Sequence, residues 1–184
     1  MKPKSLNVRQ EDHYVSVYER SEKNGHVPAL LFFEGESKAE KSDLLFQLEK
    51  QLFNAGFQVG VINNDRVSQG LSENLGLSDQ ELRENLRRAK EMAFLMLEAG
   101  WLVLADFQSC SACLSDTLSI QKQVNLTSIQ ITIKNCSKIQ KNIEIKKKGI
   151  VSSVILKREE LHRSITIDKL VTFISQILKE GCYP

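Results

Sequence analysis

The stretch Gly35-Glu36-Ser37-Lys38-Ala39-Glu40-Lys41-Ser42 comes within one position of a phosphate-binding loop. The pattern G-x-x-x-x-G-K-[ST] works because backbone N–H groups and the start of the following helix surround an anion. Its lysine neutralises that anion and its hydroxyl ligates Mg²⁺. Gly35, Lys41 and Ser42 satisfy the pattern, whereas Glu40 stands where the second glycine belongs. That glycine lets the backbone approach the anion and take up conformations that a side chain disfavours. A carboxylate about 4 Å from a phosphate oxygen costs on the order of 1 kcal/mol per charge pair in water, and several times more in a partly desolvated cleft. Two states of the loop are compatible with these residues. Either Glu40 turns outward, or pairs with Lys38 or Lys41, and ATP binds weakly; or the loop has relaxed into an ordinary strand-to-helix turn. The second fits better, because the substitution falls on the most demanding position.

Holding such a loop takes a strand before it and a helix after it. VPALLFF, 27–33, is a short apolar run ending in Glu34-Gly35, which predicts a buried strand. From Ser42 onward, Leu44, Leu45, Leu48, Leu52 and Phe53 recur at helical spacing, and Asn54-Ala55-Gly56 supplies a stop. FQVGVI, 57–62, predicts the next strand, which runs into the polar Asn63-Asn64-Asp65-Arg66. Ser78 and Glu81 form a capping box ahead of a helix with Leu82, Leu86, Ala89, Ala93 and Met96 or Leu97 on one face, ended by Gly100. WLVLADF predicts a third strand, and QSCSACLSDT is expected to open a further helix. SIQITIK, 128–134, and VSSVILK predict two more strands. The lysine-rich KIQKNIEIKKK, 138–148, reads as a solvated strand or loop rather than a phosphate site. IDKLVTFISQILKEG carries Ile167, Leu170, Val171, Ile174 and Leu178 on one face and predicts an amphipathic closing helix.

Strands alternating with helices imply an α/β fold, a parallel sheet with helices on both faces. Ligands of such sheets bind at the carboxyl ends of the strands, which places Gly35–Ser42, Asn63–Arg66 and the residues around Asp106 along one crevice suited to a nucleotide. Asp106 itself reads as a plain polar residue at a strand end in preference to the metal-supporting acid that ends such a strand in other phosphate-loop enzymes. Residues 1–26 read as a polar leader without a sustained period, loosely packed or forming a short helix, ahead of a single domain at 27–184.

Composition sets further limits. A chain of 184 residues with 41% hydrophobic and 26% charged side chains can bury one sizeable core. Its formal charge of +2 supplies no drive toward nucleic acid or an anionic membrane. MKPKSLNVRQEDHYVSVYER lacks the apolar core of a signal peptide, and no run of about 18 apolar residues occurs, so a cytoplasmic location is expected. Cys110 and Cys113 are closely spaced, but matched zinc ligands are not evident around them. Free cytosolic thiols are therefore the expectation for all four cysteines.

The order of motifs resembles the adenylylsulfate kinase (APS kinase) family, phosphate-loop enzymes of the nucleotide-kinase-like class. The resemblance runs from about Asn24 to about Ser109 and is most specific in NNDRVSQGLSENLGLSDQELRENLRRAKEMAFLMLEAGWLVLADFQS. That stretch is similar to the family's D-G-D-N-V-R-x-G-L-x-x-x-L-G-F-S, then D-R-x-E-N-I-R-R, then L-x-x-x-A-G, then a strand ending in F-I-S-P. The resemblance implies ATP and Mg²⁺ as cofactors, adenylyl sulfate as acceptor, phosphoryl transfer to its 3'-hydroxyl, and a homodimer as the assembly.

Carried over position by position, Lys41 with Gly35 and Lys38 would meet the ATP phosphates, Ser42 would hold Mg²⁺, and Asp65 would orient or deprotonate the attacking hydroxyl. Asn63, Asn85, Phe107 and Ser109 would line the acceptor site. Several family residues are replaced. Asn63 stands for the first acid of D-G-D-N, and Ser68, Leu77 and Leu82 stand for the Arg, aromatic and Arg of the acceptor clamp; Asn85 is kept. Arg66 and Arg83 lie one or two positions from the family's arginines and so point elsewhere on a helix. Arg87 and Arg88 read as a solvated helix face. The family's basic lid has no clear counterpart between Lys134 and Ile155. Together these changes lead to the expectation of a kinase fold whose phosphoryl transfer is strongly reduced or lost. The alternative is a working kinase for adenylyl sulfate or a related small acceptor.

Overall fold

A computed structural model describes residues 14–34, 38–106, 127–134, 143–148, 151–157 and 164–180. In chain order the described elements are α1 (Val17–Asn24), β1 (Ala29–Glu34), α2 (Lys38–Asn54), β2 (Val59–Asn63), α3 (Asn64–Gln69), α4 (Asp79–Glu98), β3 (Leu102–Asp106), β4 (Thr127–Lys134), β5 (Ile143–Lys148), β6 (Val151–Lys157) and α5 (Ser164–Glu180).

Six strands form one sheet in the order β2-β3-β1-β4-β6-β5. All neighbours run parallel except β5, which pairs antiparallel with β6 at the sheet's edge. Three of its six residues are lysines, Lys146–Lys148, a composition that discourages further strand addition at an open edge. Ile143–Lys148 is thus a strand rather than a loop, while 138–142 lie outside the described residues.

Strand alternation sorts the core into two layers. Ala29, Leu31 and Phe33 of β1 and Leu102 and Leu104 of β3 pack with Leu44, Leu45, Leu48 and Leu52 of α2 and with Ile167, Leu170, Ile174 and Leu178 of α5. Leu30, Phe32, Val103 and Ala105 face the other way, against Leu86, Ala89, Ala93 and Leu97 of α4 and Val67 of α3. Strands covered on both faces need continuous apolar sequence, which is what ALLFFE and LVLAD supply before each ends in an acid.

Local signals place the helices. Ser78 and Glu81 close the capping box that starts α4. Ser16 and Glu19 do the same for α1, and Gly25 ends that helix at φ 69°. The short-helix alternative for the leader therefore holds at Val17–Asn24. Asn24 Nδ2 donates to Gly100 O at 3.0 Å, tying α1 to the turn between α4 and β3. Buried His26 joins two strand entrances: its Nε2 accepts from Gln58 N at 3.0 Å and its Nδ1 meets Val27 O at 3.1 Å. No helix among the described residues is long and apolar enough to cross a membrane.

One helix boundary differs from expectation. The helix after the loop begins at Lys38 rather than Ser42, so Glu40 sits in its first turn, where a carboxylate suits the positive helix end. The polar Asn63–Arg66 stretch opens a short helix, with Asn63 as the cap of α3. The helix expected at QSCSACLSDT lies outside the described residues, as do Cys110, Cys113, Cys136 and Cys182.

Candidate functional site

Parallel strands β2, β3 and β1 end side by side in Asn63, Asp106 and Glu34. The start of α2 and all of α3 lie at these carboxyl ends, where open α/β sheets bind ligands. Alternation directs the side chain of Asp106 to the same face as Leu102 and Leu104, the face that α2 covers. There it meets Lys41: the Nζ lies 2.9 Å from Asp106 Oδ1. The residues are only 5% and 2% exposed, so this ion pair is sealed from solvent. It is a pair by distance and charge, since Asp106 Oδ1 has no aligned hydrogen-bond donor. The reading of Asp106 as a plain strand-end residue is thereby corrected. A charge at the last position of a fully buried strand needs a partner, and α2 supplies one.

Of the residues expected to hold a cofactor, Lys41 is buried and engaged, and Ser42 beside it is half-buried. Lys38 is the first residue of α2. Gly35 lies outside the described residues. Asp65, expected to orient or deprotonate the attacking hydroxyl, occupies the first turn of α3 and is half-buried. Its backbone N–H is held by Asn63 Oδ1 at 3.0 Å, and Arg66 N reaches the same oxygen at 3.4 Å. Asn63, buried at 8% exposure, thus serves the backbone as an N-cap. Asparagine is among the best capping residues, so replacement of the family's acid keeps the turn while removing its charge.

Asn85, expected at the acceptor, projects from α4 toward α3 and is buried. Its Nδ2 donates to Asn64 Oδ1 at 3.0 Å and to Ser68 Oγ at 3.3 Å. Its Oδ1 is a buried acceptor with no partner among the described residues. Asn64 is not among the expected site residues, and Ser68 figures there only as the residue standing for a clamp arginine. The signal for them is the i, i+4 spacing that puts both on one side of α3. Phe107 and Ser109 lie outside the described residues.

The arginines divide. Arg87 is exposed and forms two hydrogen bonds with Glu84, as a solvated helix face requires. Arg88 is more deeply set: its Nη1 donates to Leu71 O at 2.8 Å and Asn74 Oδ1 at 2.7 Å, while Nε reaches Glu84 Oε1 at 3.0 Å. It fastens the segment between α3 and α4, a role beyond the solvated face expected of it. Hydrogen bonds from Arg87 and Arg88 push the Glu84 carboxyl down to about 2.

Tested against the phosphates of ATP, this arrangement does not fit as it stands. The lysine that would neutralise a phosphate is neutralised by Asp106, and a second carboxylate, Glu40, lies in the first turn of α2.

Comparison with known proteins agrees with the architecture. The chain is 41% identical over 105 residues to the adenylyl-sulfate kinase of Staphylococcus epidermidis, covering 57% of this chain and 53% of that protein. It is 43% identical over 103 residues to that of Shewanella baltica, covering 56% and 50%. The chain thus matches about half the length of these relatives. Among solved structures, the Mycobacterium tuberculosis APS kinase in complex with AMPPNP and APS superposes with a TM-score of 0.60 at 19% identity, covering 82% of this chain and 97% of that one. At that identity the likeness speaks for the fold. The family model for adenylylsulphate kinase matches residues 27–152, well over half of the sequence, and the chain belongs to that family.

Proposed function

We infer that this chain is an adenylylsulfate-kinase-fold protein whose phosphoryl transfer is strongly reduced, and that it serves a binding, regulatory or assembly role. The observation that carries the reading is the buried Lys41–Asp106 pair, which satisfies the phosphate-loop lysine from within. Around it, Glu40 replaces the glycine of the loop, Asn63 replaces an acid and Ser68 replaces a clamp arginine. Each aimed charge lost from one site removes transition-state stabilisation, and the losses combine without simply multiplying because the groups act on the same transition state. Asn85, with its unpaired buried Oδ1, is the acceptor contact that persists.

A second reading, a working ATP-dependent kinase for adenylyl sulfate or a related small acceptor, draws support from Asp65, Lys41 and Ser42 and from the names of the relatives. Release of ADP from Mg-ATP in the presence of adenylyl sulfate, followed by a coupled assay, separates the two. The disarmed site predicts turnover at least ~1,000-fold below the range of about 1 to 100 per second common to kinases. Turnover within that range would overturn the first reading.

A further inference from the structure

We propose that Asp106 is a resident counter-anion, which occupies Lys41 in place of a phosphate and so weakens anion binding at the start of α2. The proposal rests on the reading of Gly35–Ser42 as a phosphate loop by descent, and it assigns the weakened binding to one residue. Three observations lead there. Lys41 is the fourth residue of α2, the position that a phosphate loop aims at its anion, and yet it is 5% exposed. Its Nζ contacts the carboxylate at the end of β3 at 2.9 Å. That carboxylate has little freedom to leave, because β3 is buried along its whole length and held between β2 and β1.

A phosphate arriving at Lys41 has two ways to bind. It can displace Asp106, which strands a carboxylate 2% exposed without its cation. Otherwise it shares Lys41 with Asp106, so that two anions face one cation, with Glu40 adding a third negative charge in the first turn of α2. Both routes weaken binding relative to a site with a small neutral residue at the end of β3. The effect is electrostatic and local, and removing one charge reverses it.

The test uses inorganic pyrophosphate without divalent metal, titrated calorimetrically into the full chain. Asp106→Asn preserves shape and removes the charge, and it should raise pyrophosphate affinity at least about tenfold over the wild type. Adding Lys41→Met to that variant should abolish the gain. Affinity that is unchanged or lower in Asp106→Asn overturns the proposal. So does loss of Mg-ATP binding in that variant when the wild type binds it, which would make Asp106 a metal-supporting acid.

If Asp106→Asn does not fold, amine acylation of the wild type followed by peptide mass spectrometry takes its place. Lys41 should react far more slowly than exposed Lys50, with or without pyrophosphate. Reaction as fast as Lys50, or protection conferred by pyrophosphate, overturns the proposal. The two failures remain distinct. Kinase-like turnover in the wild type sinks the reduced-activity reading whatever Asp106→Asn does, while an inactive wild type with no gain in Asp106→Asn sinks only the counter-anion.

Discussion

Asn63 and Asp106 are register partners at the carboxyl ends of parallel strands β2 and β3, and each side chain already serves the protein itself. Asn63 Oδ1 accepts from two backbone N–H groups of α3, while Asp106 neutralises Lys41 of α2. Polar groups at the end of a buried sheet cost free energy unless they are paired. Here two polar strand ends are paired by the two helices that start beside them.

The first prediction concerns the cap. Asn63→Ala leaves the N–H groups of Asp65 and Arg66 without their acceptor, and loss of an N-cap costs about 0.5–2 kcal/mol. Urea denaturation should therefore show a lower midpoint with an unchanged slope. Asn63→Asp keeps an acceptor at the same place and should stay closer to the wild type than the alanine variant. An alanine variant as stable as the wild type would show that the cap contributes nothing.

Arg88 supplies the second. It holds Leu71 O and Asn74 Oδ1 from α4 and so pins the segment between α3 and α4. Hydrogen bonds to charged groups are worth about 1.5–3 kcal/mol, and these two, being exposed, fall at or below the low end. Arg88→Ala should free the Leu75 amide, which bonds Ser72 O, and hydrogen exchange there should accelerate while β1 and β3 remain protected. Arg87→Ala removes only an exposed pair with Glu84 and should change little.

Most of the architecture was legible because it follows from patterns that a sequence displays directly. The apolar runs at β1 and β3, the leucine spacing of α2 and the Ser78–Glu81 box each specify an element locally. α3 was not legible, since a six-residue helix has too few turns to show a period, and its cap, Asn63, equally suits a turn. The antiparallel direction of β5 depends on where the chain reverses in space, which its lysine content does not encode. At the site, residue types were readable but pairings were not. Lys41 and Asp106 are far apart in the chain, and only the alternation of β3 beneath α2 shows that they meet.

A pH dependence follows from His26. Burial lowers its pKa from 6.5, aided by the nearby Lys179 charge, while its bond to Val27 O opposes the shift. Its neutral Nε2 accepts from Gln58 N, and a proton placed there removes that acceptor. Because the folded pKa lies below the unfolded one, the unfolded chain binds the proton first. The stabilisation is complete well above pH 6.5 and is lost as pH falls through that value toward the folded pKa. The carboxylates whose pKa values are lowered, such as Glu84 at about 2, lose their contribution only below the ordinary value of 4.5. Urea midpoints measured between about pH 7.5 and 5 should thus fall in the wild type. In His26→Gln they should start lower and slope less; an equal slope would remove His26 as the cause.

Gly60 lies in β2 opposite Val103, beneath the end of α4 and the start of β3. A Cβ added there would run into Met96 Cε and would approach Trp101 Cε3 at 2.8 Å and Cζ3 at 3.0 Å. The methionine tail is flexible and can yield. The indole ring is not, but at 38% exposure it has a solvent side toward which it can move. Gly60→Ala should therefore fold and cost about 1–3 kcal/mol, the usual range for overpacking. Trp101 is the chain's single tryptophan, so its emission reports the displacement directly. A red shift in Gly60→Ala, partly reversed on adding Met96→Ala, is the expected result. Unchanged emission together with wild-type stability would mean that β2 and α4 are not packed as closely as these contacts require.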